Sequence, residues 1–138
     1  QKDFIIKNKN RGFHLITREI EKNIPEIIDF RVGILNLFVK HTSASLTINE
    51  NTDKSVRNDF EYHFNKTIPE NDPNYEHTFE GSDDMPAHLK SSILGNSISV
   101  PIKNGTLDLG TWQGIFLCEH RNNINQRNIT AIMYGISA

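Results

Sequence analysis

Short runs of apolar residues along the chain predict several β-strands separated by a few amphipathic helices. Residues 4–6 and 13–17 are largely apolar and flank a polar turn at 8–12, which predicts an N-terminal hairpin. Isoleucines then recur at helical spacing and Pro25 suits a first helical turn, so a short helix is predicted over about 23–31.

The next part of the chain predicts two strands and a helix. An apolar, β-rich run covers 34–40, and a second one covers 45–48. Three apolar residues then recur every four positions, which predicts an amphipathic helix over roughly 52–66.

The segment 82–94 carries the signals of a complete helix. Ser82 or Asp83 can cap its start, and Gly95 can end it. Residues 68–79, which precede it, are polar and contain two prolines, so they are predicted to form a loop.

The last third of the chain predicts four strands. They cover 97–102, 106–109 with a continuation toward 112, 114–119 and 128–134. Asn104-Gly105, between the first two, is a strong hairpin signal. Because the strands follow one another with few helices between them, we predict a single α+β domain over residues 1–138, with an extensive, mostly antiparallel sheet and about three helices.

The composition narrows the classes of partner that the protein is expected to bind. The 138 residues are 36% hydrophobic and 23% charged, and the formal net charge is -2. No clustered Lys/Arg stripe is present, so we expect neither nucleic acid nor a membrane as a partner. Cys118 is the only cysteine, which excludes an internal disulfide. No long apolar run or signal sequence is seen, so a cytoplasmic location is expected.

Asp84 and His88 are the first candidates for chemistry. They stand four positions apart on the predicted helix, so their side chains share a face near its first turn. Such a pair can bind a metal, or the carboxylate can orient the imidazole. The alternative is a capping acid beside a surface histidine.

Two strand ends supply further candidates. His41 ends an apolar strand and precedes small hydroxyl residues, which leave room for a ligand. Glu119, His120 and Arg121 end another apolar strand, where alternation points His120 away from its two neighbours. A Ser/Thr-rich turn and an ordinary polar strand exit are the alternatives.

Three separated histidines beside acidic, hydroxyl or arginine residues fit the nitrogen and oxygen ligands of a catalytic zinc-type site. His41, His88 and His120 are therefore the candidate metal ligands. His77 with Glu80 is a weaker candidate, since loop histidines are usually solvated.

The remaining histidines and the cysteine have structural interpretations. His14 and His63 are expected to be structural or exposed. Cys118 lies in a predicted buried strand, so it is expected in the core.

Three long segments resemble the hallmarks of the YjbQ-like family. They are HTSASLTINEN at 41–51, EGSDDMPAHLKSS at 80–92 and LGTWQGIFLCEHR at 109–121. The resemblance implies an α+β fold with extensive antiparallel sheet, a homotrimer, and a bound metal, often zinc, at a cluster of motif histidines. It also implies a secondary thiamine-phosphate synthase activity, which joins a pyrimidine pyrophosphate to a thiazole phosphate and releases pyrophosphate.

The leading hypothesis is a metal-dependent enzyme acting on a phosphorylated small molecule, with weak thiamine-phosphate synthase activity as one form of it. Zinc is the expected cofactor and Mg²⁺ the alternative. Asp84, His88, Glu119 and His120 are the candidate catalytic residues, with Glu119 a general base or a salt-bridge partner within a subunit interface. Candidate phosphate-binding residues are Ser43, Lys90, Ser91, Ser92 and Arg121. Trp112 and Gln113 are candidates for the pocket lining, and a core position is the alternative for Trp112.

Two rival hypotheses use the same residues. In the first, the true substrate is another phosphate ester or a carboxylate. In the second, the protein is a non-catalytic module that binds a metal or a small ligand.

Overall fold

Eight strands in two antiparallel sheets and three helices make up the computed structural model, which describes all residues 1–138. The strands are β1 (Lys2–Lys7), β2 (Gly12–Leu15), β3 (Phe30–Val39), β4 (Ala44–Glu50), β5 (Ser97–Lys103), β6 (Thr106–Leu107), β7 (Gln113–Glu119) and β8 (Gln126–Ser137). The helices are α1 (Thr17–Asn23), α2 (Lys54–Thr67) and α3 (Asp84–Leu94), with a 3₁₀ turn at Pro25–Asp29. No helix is both long enough and apolar enough to cross a membrane.

The larger sheet has the strand order β1-β8-β3-β5-β6, and the smaller sheet has the order β2-β7-β4. Every pairing is antiparallel. Leu35 shows the register at the centre of the larger sheet, since it pairs with Val100 of β5 and with Met133 of β8. The predicted α+β domain with mostly antiparallel sheet is therefore confirmed.

The main core lies between the two sheets. One cluster of 16 buried residues joins Leu35 and Leu37 of β3 to Leu46 of β4 and Leu117 of β7, all fully buried, and Ile20 of α1 belongs to the same cluster. Burying one such side chain stabilises the fold by about 1.5–3 kcal/mol. Burial alternates along the second half of β3, because only one face of the larger sheet meets the core.

Helices α2 and α3 cover the second face of the smaller sheet. There Phe13 and Phe116 pack with Phe60 and Phe64 of α2, and the ring centroids of Phe13 and Phe60 are 5.3 Å apart. Strand β7 is thus buried on both faces, which explains why its residues are apolar without alternation.

The outer face of the larger sheet carries an apolar surface. Its side chains Val32, Ile34, Ile132, Tyr134 and Ile136 are between 38% and 57% exposed. They are cross-strand neighbours, because Val32 pairs with Ile136 and Ile34 pairs with Tyr134. We call these five residues the outer apolar face.

The predicted N-terminal hairpin is wrong. Strand β1 pairs with β8 in the larger sheet, whereas β2 pairs with β7 in the smaller one. Apolar alternation reveals a strand but does not reveal its partner, and the connection between β1 and β2 crosses from one sheet to the other.

The predicted helix over 23–31 is also misplaced. Helix α1 already begins at Thr17, because Ile16, Ile20 and Ile24 recur every four positions and are buried together. Pro25 begins a separate 3₁₀ turn, since proline cannot donate the hydrogen bond that would continue the helix.

Most other predicted elements are confirmed within a few residues, but the strand predicted from 106 toward 112 covers only Thr106–Leu107, and 108–112 form no strand. Gly95 ends α3 with a φ of 97°, a left-handed value that favours glycine. Asn104-Gly105 forms a two-residue loop between β5 and β6, with φ values of 49° and 78°.

Candidate metal centre and adjoining polar pocket

Two histidines meet one carboxylate oxygen at the first turn of α3. Asp84 and His88 share a helix face, and the preceding loop returns His77 to the same place. Asp84 Oδ2 lies 2.6 Å from His77 Nε2 and 3.0 Å from His88 Nε2. The three potential ligand atoms all lie within 4.8 Å of one another. We call this group the His77–Asp84–His88 cluster.

The orientation of His88 is fixed by its second ring nitrogen. His88 Nδ1 donates to the carbonyl oxygen of Thr42 at 2.8 Å. A carbonyl only accepts, so Nδ1 carries a hydrogen and Nε2 is the nitrogen that faces Asp84. Metal-binding histidines usually have this arrangement, with one ring nitrogen donating to a backbone carbonyl and the other directed at the metal.

Asp84 is held from both sides of its carboxylate. Its side chain is only 3% exposed, and its Oδ1 lies 3.2 Å from Arg121 Nη1. Burial by itself would raise the pKa of Asp84, but the hydrogen bond from His77 and the charges of His88 and Arg121 outweigh it and lower the pKa. The carboxylate is therefore ionised and fixed in direction.

Arg121 fixes the start of α3 as a whole. Its Nε lies 3.2 Å from Asp83 Oδ2, and its Nη2 donates to the carbonyl oxygen of Glu80 at 2.6 Å. The backbone N–H of Asn122 also donates to Asp83 Oδ2, at 2.9 Å. These contacts lower the pKa of Asp83 against the opposing effect of burial.

A cavity of about 480 Å³ adjoins the cluster through His88. It has no apolar side chain in its lining and is bounded by His41, Thr42, His88, Ser91, Ser92, Gly95 and Asn96. We call it the polar pocket. Because His88 belongs to both the cluster and the lining, a ligand in the polar pocket would lie beside the cluster.

His41 lies in the polar pocket but not in the cluster. Its Nε2 accepts a hydrogen bond from the backbone N–H of Asn128 at 2.7 Å. Burial, followed by the charge of Arg127, lowers the pKa of His41, with Glu119 opposing.

His120 is separated from both features. It is 1% exposed, its Nε2 lies 2.8 Å from Ser45 Oγ, and its ring meets the edge of Phe13. Burial and then the charges of Lys90, Arg127 and Arg11 lower its pKa to about 3. The predicted metal set of His41, His88 and His120 is therefore not one cluster, because the two strand ends turn His41 and His120 elsewhere.

Glu119 is occupied by an ion pair. Its carboxylate is 1% exposed and receives Arg127 Nε at 2.7 Å and Nη2 at 2.5 Å. The Arg121 backbone N–H donates to the same carboxylate at 3.1 Å. Glu119 is therefore not an accessible general base in this chain, and its ion pair with Arg127 forms within the chain rather than in the predicted subunit interface.

Most of the predicted phosphate-binding residues are engaged elsewhere. Lys90 is 1% exposed and donates to Asn65 Oδ1 at 2.6 Å, on the side of α3 that faces α2. Burial, then the charge of Arg11, lowers the pKa of Lys90. Arg121 is paired with the acids that begin α3. Neither cation lines the polar pocket.

The three predicted serines have different surroundings. Ser43 is buried, and its Oγ accepts from Arg127 Nη2 at 3.0 Å. Ser91 lines the polar pocket but donates its hydroxyl hydrogen to the carbonyl oxygen of Ala44 at 2.9 Å. Only Ser92 lines the pocket without a protein partner for its hydroxyl.

The remaining candidates lie outside the polar pocket. Trp112 is 64% exposed, and the side-chain oxygen of Gln113 accepts a hydrogen bond from the Gly110 N–H at 2.8 Å, within the turn that precedes β7. Cys118 is buried, as predicted.

His77 is the residue that sequence patterns undervalued. Its seven-residue separation from Asp84 carries no helical meaning, because His77 lies in the loop before α3 and no continuous helix joins the two residues. The available signal was its position in a polar loop directly before a helix that starts with two acids.

The fold and this site define a small α+β protein with a His/Asp cluster beside a polar pocket. The family model described as UPF0047 protein YjbQ-like matches residues 2–135. The chain is 51% identical over 135 residues to the UPF0047 protein YjbQ of Salmonella typhimurium, in a match that covers 98% of this chain and 97% of the relative. The chain belongs to the YjbQ/UPF0047 family, which confirms the resemblance of its three motifs.

Solved structures agree with this assignment. An uncharacterized YjbQ/UPF0047-family protein of Clostridium acetobutylicum superposes with a TM-score of 0.84 at 34% identity, over 96% of this chain and 98% of that chain. A conserved hypothetical protein of Thermus thermophilus gives a TM-score of 0.82 at 30% identity, over 96% of this chain and 98% of that chain. These matches establish the family and the fold.

Proposed function

We propose that the protein is a metal-dependent enzyme acting on a phosphorylated small molecule, with the metal held by the His77–Asp84–His88 cluster. The observation that carries this proposal is the convergence of His77 Nε2 and His88 Nε2 on a single oxygen of the buried Asp84.

The donor set suits a zinc-type ion. Two imidazole nitrogens and one carboxylate oxygen match the three protein ligands of catalytic zinc sites, in which a further position is open. Mg²⁺ prefers oxygen ligands, so the two imidazoles favour zinc. His77 and His88 are 44% and 30% exposed in their side chains, which leaves the cluster accessible from solvent.

The chain's own residues prepare this site. Arg121 occupies Oδ1 of Asp84 and leaves Oδ2 to the two histidines, while Thr42 holds His88 in one orientation. A bound divalent ion would supply a Lewis acid that stabilises charge on a phosphoryl oxygen or activates water. The polar pocket beside His88 then offers space for the rest of the substrate.

Elemental analysis of untagged protein tests the metal. We expect stoichiometric zinc in the wild type and its loss in His77→Ala, Asp84→Asn and His88→Ala. His63→Ala is the matched control, because His63 is an exposed histidine of α2 outside the cluster. Absence of metal from reconstituted wild-type protein, or loss of zinc in the control alone, would refute the proposal.

Turnover assays test whether the protein is an enzyme. Thiamine-phosphate formation from its pyrimidine pyrophosphate and thiazole phosphate precursors is the first assay, followed by a panel of phosphate esters and carboxylates. Zinc-dependent turnover that disappears in His88→Ala supports catalysis. Tight metal binding without turnover of any compound would favour the alternative, a non-catalytic binding module.

The homotrimer implied by the family resemblance is part of the proposal. The outer apolar face supports it, since contiguous exposed apolar side chains on a sheet are typical of surfaces that are covered in an assembly.

A further inference from the structure

We propose that His41 serves the polar pocket as a hydrogen-bond donor, with its Nδ1–H binding a phosphate oxygen of the substrate, and that it is not a metal ligand. This inference deepens the proposed function and rests on it for the identity of the ligand. It rests on the tautomer of the His41 imidazole, on the chemistry of the pocket lining, and on the contacts with β8 that hold His41 in place.

The tautomer of His41 follows from its partner. The backbone N–H of Asn128 points at His41 Nε2 from 2.7 Å, and a backbone N–H can only donate. Nε2 must therefore present its lone pair. A neutral imidazole has one such nitrogen, so Nδ1 carries the hydrogen. The lone pair that a metal would need is already used by Asn128.

The remaining N–H of His41 is free. Nδ1 makes no hydrogen bond to the protein, and the ring lines the polar pocket. Burial and the nearby Arg127 charge keep the pKa of His41 below its ordinary value, so the ring stays neutral at neutral pH. A neutral ring with Nε2 occupied has only a donor to offer a ligand.

The rest of the lining can donate hydrogen bonds to an oxyanion. Besides His41, the hydroxyls of Thr42 and Ser92 and the amide of Asn96 can donate, while no carboxylate borders the pocket. Acids would repel an anion, and their absence here contrasts with the acid-rich start of α3 nearby. A phosphate group placed in this pocket would meet several donors and lie next to His88 of the cluster.

Strand β8 holds His41 in place. The carbonyl oxygen of Asn128 accepts from the N–H of Lys40 at 3.0 Å, so the residue before His41 is paired with the same residue that binds its ring. Arg127 donates to the carbonyl oxygen of Ser43 at 3.1 Å. Both ends of the 40–43 segment are thus attached to adjacent residues of β8, and the direction of Nδ1–H is set before a ligand binds.

Three readouts test the inference on the whole chain. Long-range ¹H–¹⁵N spectra, with the His41 signals assigned by their loss in His41→Ala, should show Nδ1 protonated and Nε2 unprotonated. Zinc content should be unchanged in His41→Ala. Calorimetric affinity for inorganic phosphate should fall about ten- to hundredfold in His41→Ala, as expected for a lost hydrogen bond to a charged group.

A conservative variant separates donation from mere bulk. The amide nitrogen of asparagine can take the place of histidine Nδ1, so His41→Asn should retain most of the phosphate affinity, and His63→Ala should retain all of it. Acetate should bind more weakly than phosphate in the wild type. Equal or tighter binding of acetate would overturn the assignment to phosphate.

Failure of this inference differs from failure of the proposed function. Zinc loss in His41→Ala, a proton on Nε2, or unchanged phosphate affinity would each overturn the donor role of His41. Zinc-free wild-type protein would refute the metal centre instead, while the tautomer and the phosphate titration would still decide the role of His41.

Discussion

The Glu119 carboxylate and the Arg127 guanidinium face each other in the interior, with Nε 2.7 Å from Oε1 and Nη2 2.5 Å from Oε2. The two side chains are 1% and 5% exposed. Arg127 also donates to Ser43, so the pair joins the end of β7 to the loop that carries His41. A buried charge that loses its partner is costly, because its lost hydration is no longer compensated.

Glu119→Gln should therefore lower the free energy of unfolding by about 3 kcal/mol or more, because it leaves the Arg127 charge buried and uncompensated. The double variant Glu119→Gln/Arg127→Met should lose less than the sum of the two single variants. Urea unfolding measures both quantities. Glu26→Gln, an exposed acid without an ion pair, is the control and should match the wild type. A loss below about 1 kcal/mol, the range of surface ion pairs, would contradict this account.

Acid should weaken the fold through His120. The pKa of His120 is lowered by burial to about 3 in the folded protein, against an ordinary value of 6.5 in the unfolded chain. Between these values the unfolded chain binds the proton and the folded protein does not, so stability falls as the pH falls from 6.5 towards 3. One such group contributes a slope of at most ~1.4 kcal/mol per pH unit.

His120→Gln should remove this contribution and flatten the dependence of unfolding free energy on pH, whatever its effect on stability at neutral pH. Unfolding curves collected across that pH range give the slope. An NMR titration supplies an independent test, since the His120 ring signals should not move until the protein unfolds. Parallel slopes for the two proteins would show that His120 is not held neutral by burial.

Particular residues show what could be predicted from the sequence and what could not. The apolar run of β7 and the signals around α3 predicted their elements, because burial and helix ends leave local patterns. The partner of β1 left no such pattern, since pairing depends on the crossing between two sheets. Helical period placed Asp84 and His88 together but could not place His77, which reaches them through a loop.

The behaviour of single side chains was harder still to predict. His41, His120 and Glu119 all stand at strand ends, and all were plausible ligands or bases by position. Their differences arise from long-range partners, namely Asn128, Ser45 and Arg127. These partners are defined by register between strands that are distant in sequence, so no local motif encodes them.

Cys118 should be unreactive in the folded protein. Burial raises the pKa of its thiol to about 12, and the thiolate is the reactive form. Labelling with a disulfide reagent should be slow in native buffer and fast in urea. A Cys118→Ser/Ser137→Cys protein, with the cysteine moved to an exposed position, is the control and should label rapidly without urea. Rapid labelling of native wild-type protein would show that β7 opens readily to solvent.

The proposed homotrimer makes a prediction about the outer apolar face. Tyr134 of this face and Tyr62 of α2 are similarly exposed, at 56% and 59%, but they lie on different layers of the molecule. If the outer apolar face is buried between subunits, Tyr134→Arg places a charge in an apolar interface and should yield monomers. Tyr62→Arg should leave the assembly intact.

Sedimentation equilibrium measures the mass, and circular dichroism checks that the monomer keeps its sheets, since the main core lies between the two sheets of one chain. A monomeric wild type, or dissociation by Tyr62→Arg in place of Tyr134→Arg, would rule out assembly through this face.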